Sequence, residues 1–107
     1  MTVGDWLRAR PLQPPETLSA RIATVLGAAQ HESSDALADV CLDAAERLVA
    51  DLLRSGSTSR DTALDLLTAD ALVTYAFEAA SDRPETIAAR AEAAMVRIAA
   101  LGAVQPA

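Results

Sequence analysis

The sequence has no lysine. All nine of its basic residues are arginine, set against fifteen acidic ones, and the net charge is −6. Nucleic-acid binding needs a basic footprint, and none is present, so nucleic acid is not expected as a partner. Anionic membrane surfaces are disfavoured for the same reason. No uncharged run approaches the length of a membrane-spanning helix. There is one cysteine, which excludes an internal disulfide and a cysteine-based zinc site. There is one histidine, and there are four glycines. No Gly-rich phosphate loop, GxSxG, HExxH or CxxC motif occurs. Aromatics make up only 3% of the chain, so a core must be built from Ala, Leu, Val and Ile. The opening residues, MTVGDWLRARP, carry an early acid and no apolar run, which speaks against a signal peptide. Arginine without lysine fits a GC-rich bacterial genome, and the expected compartment is the cytoplasm.

What is present suits one helical domain. The chain has 107 residues, 51% of them apolar, with a mean hydropathy of +0.19. That is enough to bury a core and argues against disorder. The longest apolar segment, Ala63 to Ala80, reads ALDLLTADALVTYAFEAA and holds the only Tyr and the only Phe. Neither Gly nor Pro interrupts it, and most of its residues favour helix. On a helical wheel, Asp70, Thr74 and Glu78 form one narrow polar strip. Apolar residues occupy much of the remaining circumference, so this helix is expected to be covered on several sides.

The rest of the chain arranges itself around that segment. Residues 2–10 can form one or two helical turns, with Val3, Trp6, Leu7 and Arg10 on one face. The prolines of PLQPP, 11–15, hold the chain extended as a hinge. A helix follows from Pro15 to Ala29, with Leu18, Ile22, Val25, Leu26 and Ala29 as its stripe. The polar turn QHESSD leads to a helix over Asp35–Arg54, striped by Leu37, Cys41, Ala44, Leu48 and Leu52. Gly56 is placed to terminate it in the left-handed conformation. Thr58 and Asp61 have capping-box spacing for the central helix. Asp82, Pro84 and Glu85 signal a restart, and the last helix runs to about Leu101. Its stripe is Ile87, Ala91, Ala94, Met95, Ile98 and Leu101, and Gly102 is expected to end it. The short connections predict an all-α, up-down antiparallel bundle of four main helices with a short N-terminal helical segment. The organisation is residues 1–14 as N-terminal segment and hinge, 15–102 as the bundle, and 103–107 as a frayed tail.

Candidate chemistry is sparse. His31 sits in a turn without a partner motif, and Cys41 lies on an apolar stripe, where a thiol behaves as a small hydrophobe. Asp43 and Glu46 are expected level with Asp70 across two antiparallel helices, with Asp39 one turn away. Several carboxylates at one height could hold Mg²⁺, although Asp39, Asp43 and Glu46 lie opposite the apolar stripe and so are expected to point at water. Over residues 39–78 this pattern resembles the all-α nucleoside-triphosphate pyrophosphohydrolases, which carry paired Glu on one helix and Glu-x-x-Asp on the next. The resemblance would imply Mg²⁺-dependent hydrolysis of nucleotides. The chain departs from it at Leu67, where the element needs Glu. A second expectation concerns Asp70, as a partly buried carboxylate paired with Arg90, Arg97 or Arg47.

Trp6 has the strongest claim to binding, because a Trp on a short tethered helix can dock into a partner's groove. It can equally fold back as a lid on the bundle. The reading taken is a small helical protein–protein interaction module without catalytic activity or cofactor, with Val3, Trp6, Leu7 and Arg10 as interaction residues. Self-association, as a homodimer, is expected because four short helices leave part of the apolar surface uncovered. The alternatives are the Mg²⁺-dependent pyrophosphohydrolase and a small-ligand-binding regulator, for which an Ala-rich core leaves little cavity.

Overall fold

A computed structural model describes residues 1–56, 58–81 and 84–103, with backbone alone at 84–87 and 103. The fold is all-α. Five helices follow in order: α1 (Val3–Arg8), α2 (Glu16–Leu26), α3 (Leu37–Ser55), α4 (Arg60–Ala80) and α5 (Pro84–Ala103). Two 3₁₀ turns, Gly27–His31 and Ser34–Ala36, join α2 to α3. No strand occurs among the described residues, only an isolated antiparallel bridge between Thr2 and Ser33. No helix is long and apolar enough to cross a membrane among those residues.

Local chemistry sets most of the boundaries. Gly56 adopts the left-handed conformation (φ 61°, ψ 9°) and caps α3, and its N–H returns to the Leu52 carbonyl. The α4 cap is Ser59 rather than Thr58: the Ser59 hydroxyl accepts from the Thr62 N–H. The helix from Pro15 stops at Leu26, sooner than expected. Gly27 turns to φ 53°, ψ −131°, and the chain tightens into a 3₁₀ turn. At the other end, Gly102 does not stop α5, which reaches Ala103. The proposed Asp82 cap lies outside the described residues.

The core is one cluster centred on the α3–α4 pair. Leu37, Cys41, Ala44 and Ala45 of α3 meet Leu72 and Ala76 of α4, and Ile22, Leu26 and Val3 close the cluster from α2 and α1. Small residues on α3 and α4 let the two backbones lie close, and this pair is the most extensively packed in the molecule. Burial pushes the Cys41 thiol up to about 12, so it is protonated and unreactive near neutral pH.

The N-terminal segment belongs to this core. A capping box fixes α1: the Thr2 hydroxyl accepts from the Asp5 N–H, and the Asp5 carboxylate accepts from the Thr2 N–H. Those bonds, led by the backbone one, hold the exposed Asp5 carboxyl below its usual value. Val3 N–H donates to the Glu32 carbonyl at 2.9 Å, and Ser34 N–H donates to the Met1 carbonyl at 3.0 Å. α1 is thereby stitched to the α2–α3 turn, and Val3 is completely buried.

Helix α5 is different. It lies along α3 and α4, and Ala94 is buried there. Yet no described α5 side chain belongs to the core cluster. Met95, assigned above to its inward stripe, points outward at 71% exposure.

Candidate interaction surface

Three groups of residues compete for a functional role. The first is the N-terminal face. Val3, Trp6, Leu7 and Arg10 do share a side of the chain, as their spacing implies, but that side is turned onto the bundle. Val3 is in the core, and Trp6 and Leu7 are half-buried against it. The Trp6 ring meets the Tyr75 ring edge-on, with centroids 6.1 Å apart and planes at 77°. The Arg10 guanidinium lies 4.8 Å from the Trp6 ring centroid and 5.4 Å from that of Tyr75. Arg10 also pairs with Glu78. Burial raises the Tyr75 pKa, and the nearby Arg10 opposes that shift. The hinge is tied down as well: the Gln13 amide donates to the Leu7, Arg8 and Arg10 carbonyls. In this arrangement Trp6 is a lid.

The second group is the carboxylates. Asp39, Asp43 and Glu46 do cluster on one side of α3, but they face α5 and meet its arginines. Arg90 donates to Asp39 at 3.0 Å. Arg97 donates from Nε to Glu46 at 2.8 Å and from Nη2 to Asp43 at 2.5 Å. These bonds, Glu46 first, raise the Arg97 pKa and keep it charged. Asp70 is not with them. It sits about 160° around α4 from Leu72, which faces the core, and it is exposed. No ion pair reaches it among the described residues. The expectation of a partly buried Asp70 paired with Arg90, Arg97 or Arg47 is therefore corrected. The first two arginines pair across to α3 instead, because α5 lies on the flank of α3 that carries Asp39, Asp43 and Glu46. Arg47 is exposed. Among the described residues no group of three or more His, Cys, Asp and Glu is placed to hold a metal ion. His31 ends the first 3₁₀ turn, exposed. A further cross-helix pair, Arg21 to Asp65 at 2.6 Å, ties α2 to α4 and raises the Arg21 pKa.

The third group was not singled out in the sequence. It is the outer side of α4 and α5. Leu66 and Leu67 of α4 are 55% and 57% exposed, and Phe77 is also exposed. On α5, Met95, Val96 and Ile98 are exposed. Residues 88, 89, 92, 93, 99 and 100 are exposed too, and of these only Glu92 is charged. Val73 and Ile98 line one cleft and Phe77 and Ala94 another, which fixes the antiparallel register of the two helices. In that register Met95 lies between the levels of Val73 and Phe77, while Leu66 and Leu67 lie roughly 14 Å further toward the start of α4. Asp70 and Thr74 are the polar residues within the α4 half. A signal existed: α5 is apolar around nearly its whole circumference, which a one-sided stripe does not require.

Comparison with known proteins gives no match: no family model, no curated protein and no solved structure matches this chain.

Proposed function

We propose that this chain is a small protein–protein interaction module, without catalytic activity, that self-associates through the outer face of α4 and α5. The observation that carries the reading is the outward placement of Met95 and Val96, at 71% and 65% exposure, near the level of the exposed Phe77, with Leu66 and Leu67 exposed further along α4. Exposed apolar side chains of this size, gathered on two neighbouring helices, mark contact sites. Of the carboxylates that a nucleotide hydrolase would use, Asp39, Asp43 and Glu46 are engaged by Arg90 and Arg97, and Asp70 stands apart from them.

The size of the face sets the expected strength. Two helices of about 20 residues, packed side by side, present roughly 30 Å by 20 Å, or about 600 Å² per copy. A pair of such faces buries about 1,200 Å², at the lower end for stable complexes. A concentration-dependent homodimer is therefore expected. Light scattering after size exclusion should give twice the chain mass at high micromolar concentration and a falling mass on dilution. Met95→Glu places a charge in the face and should leave a monomer, with stability changed by less than about 0.5 kcal/mol. A wild-type monomer at every concentration, or an unaltered Met95→Glu dimer, would contradict the proposal.

A further inference from the structure

The inner side of α5 supports an inference independent of its outer side. The core cluster is complete without any described α5 side chain. Among the described residues, what holds α5 is a shallow seat and three ion pairs. The seat is lined by Ala38, Leu42, Ala76 and Ala80 at one end and by Ala45 and Val49 at the other. The residues that α5 sets against it include Ala94, Ile98 and Leu101. Arg90 and Arg97, seven residues and so about two turns apart, grip Asp39 and the Asp43–Glu46 pair on one flank. All five groups keep partial contact with water: Arg90 and Arg97 are about one-third exposed, and Asp39 three-quarters. Ion pairs that wet contribute little each and are screened by salt. Opening α5 uncovers Ala45 and Ala76 of the core cluster but removes none of the cluster's own side chains, so its local opening costs less than that of α3 or α4.

We infer that α5 is a releasable built-in occupant of a groove on α3 and α4, and that the groove recognises a partner helix carrying two arginines two turns apart with alanine-sized residues on the inward face between them. Charge complementarity identifies the occupant. The flank of the groove bears Asp39, Asp43 and Glu46, and α5 displays the spacing that satisfies them. A foreign helix of the same pattern competes with α5, so binding is autoinhibited in the resting chain and relieved by whatever weakens the arginine contacts.

The test uses the full chain and a fluorescent synthetic peptide of residues 84–103 as the probe. Arg90→Gln with Arg97→Gln removes the charge of the internal helix and leaves the core untouched. Amide exchange in α5 should then speed up roughly five- to tenfold at low salt, while α3 and α4 keep their rates. Raising NaCl to 1 M should do the same to the wild-type chain and add nothing to the variant. The labelled peptide should bind the variant at least about fivefold tighter than the wild-type chain, and Asp43→Asn with Glu46→Gln in the variant should abolish that gain. Equal exchange in α5 and α3 under all these conditions would overturn the inference, showing one cooperative unit. Peptide binding that is the same for wild type and variant would overturn it too. Labelled full-length chain binding in the peptide's stead, with a dimer mass, would give the groove to a second copy and overturn the assignment to a foreign helix. Carrying Met95→Glu in both chain and peptide removes the outer-face contact from these readouts, so their failure and that of the self-association reading remain distinguishable.

Discussion

Leu72→Ala is expected to lower the free energy of unfolding by about 3–4 kcal/mol. Leu72 lies mid-way along α4 with no exposed surface, among Leu37, Cys41, Ala44 and Ala45 of α3. The contacts of three carbons, Cγ and the two Cδ methyls, would vanish on truncation, and a cavity would remain. The neighbours are small and already close, so they have little side chain with which to fill it. A domain of this size has only about 5–15 kcal/mol of stability in all, so the loss is a large share. Equilibrium urea unfolding reads it as a lowered midpoint with an unchanged slope. Leu67→Ala, five residues away and 57% exposed, is the control and should cost under about 1 kcal/mol. Similar losses at the two positions would mean that α4 is rotated from the orientation described.

Trp6→Ala should cost about 3 kcal/mol, at the low end for a truncated aromatic because Trp6 is only half-buried. The loss has three parts. The ring's own burial goes, the edge-on contact with Tyr75 goes, and Arg10 loses one of the two rings beneath it. Arg10 keeps Glu78 and Tyr75, so its charge is not stranded. Trp6→Phe retains a ring against Tyr75 and should recover part of the loss. The same urea titration decides between lid and anchor: a mutant with wild-type stability would show that Trp6 does not secure α1 to the bundle.

These two positions also show how far the sequence could be read. Leu72 follows from periodicity, since Asp70, Thr74 and Glu78 mark the wet side of α4 and place Leu72 opposite them. Gly56 follows from backbone chemistry, because few other residues take a positive φ at a helix end. The Trp6–Tyr75 contact follows from neither. It joins residues 69 apart in the chain, through a segment whose prolines restrict conformation without fixing direction. For Asp70 the expected arginine partner is not there. Counting residues around a turn gives the level of a side chain along a bundle, but not the flank of α3 on which the last helix lies. That flank is set by tertiary packing, and it turns Arg90 and Arg97 toward Asp39, Asp43 and Glu46. The outer face was missed for a related reason. Met95 is one residue from Ala94 and about 100° around the helix, so an apolar pattern this continuous does not say which of the two is inside. Ala94 fits against α3 and α4 where Met95 would force them apart, and the smaller residue is buried.

The chain's two methionines supply the most direct test of the central claim, that the outer face of α4 and α5 is where the protein makes contact. Met95 lies in that face and Met1 outside it, and their exposures are nearly equal, 71% and 74%. Brief hydroxyl-radical oxidation followed by mass spectrometry measures both in one molecule, because methionine oxidises readily when exposed. In dilute purified protein the two should oxidise at similar rates. In the cell that makes the protein, Met95 should be protected several-fold relative to Met1. An unchanged ratio in the two settings would contradict the claim.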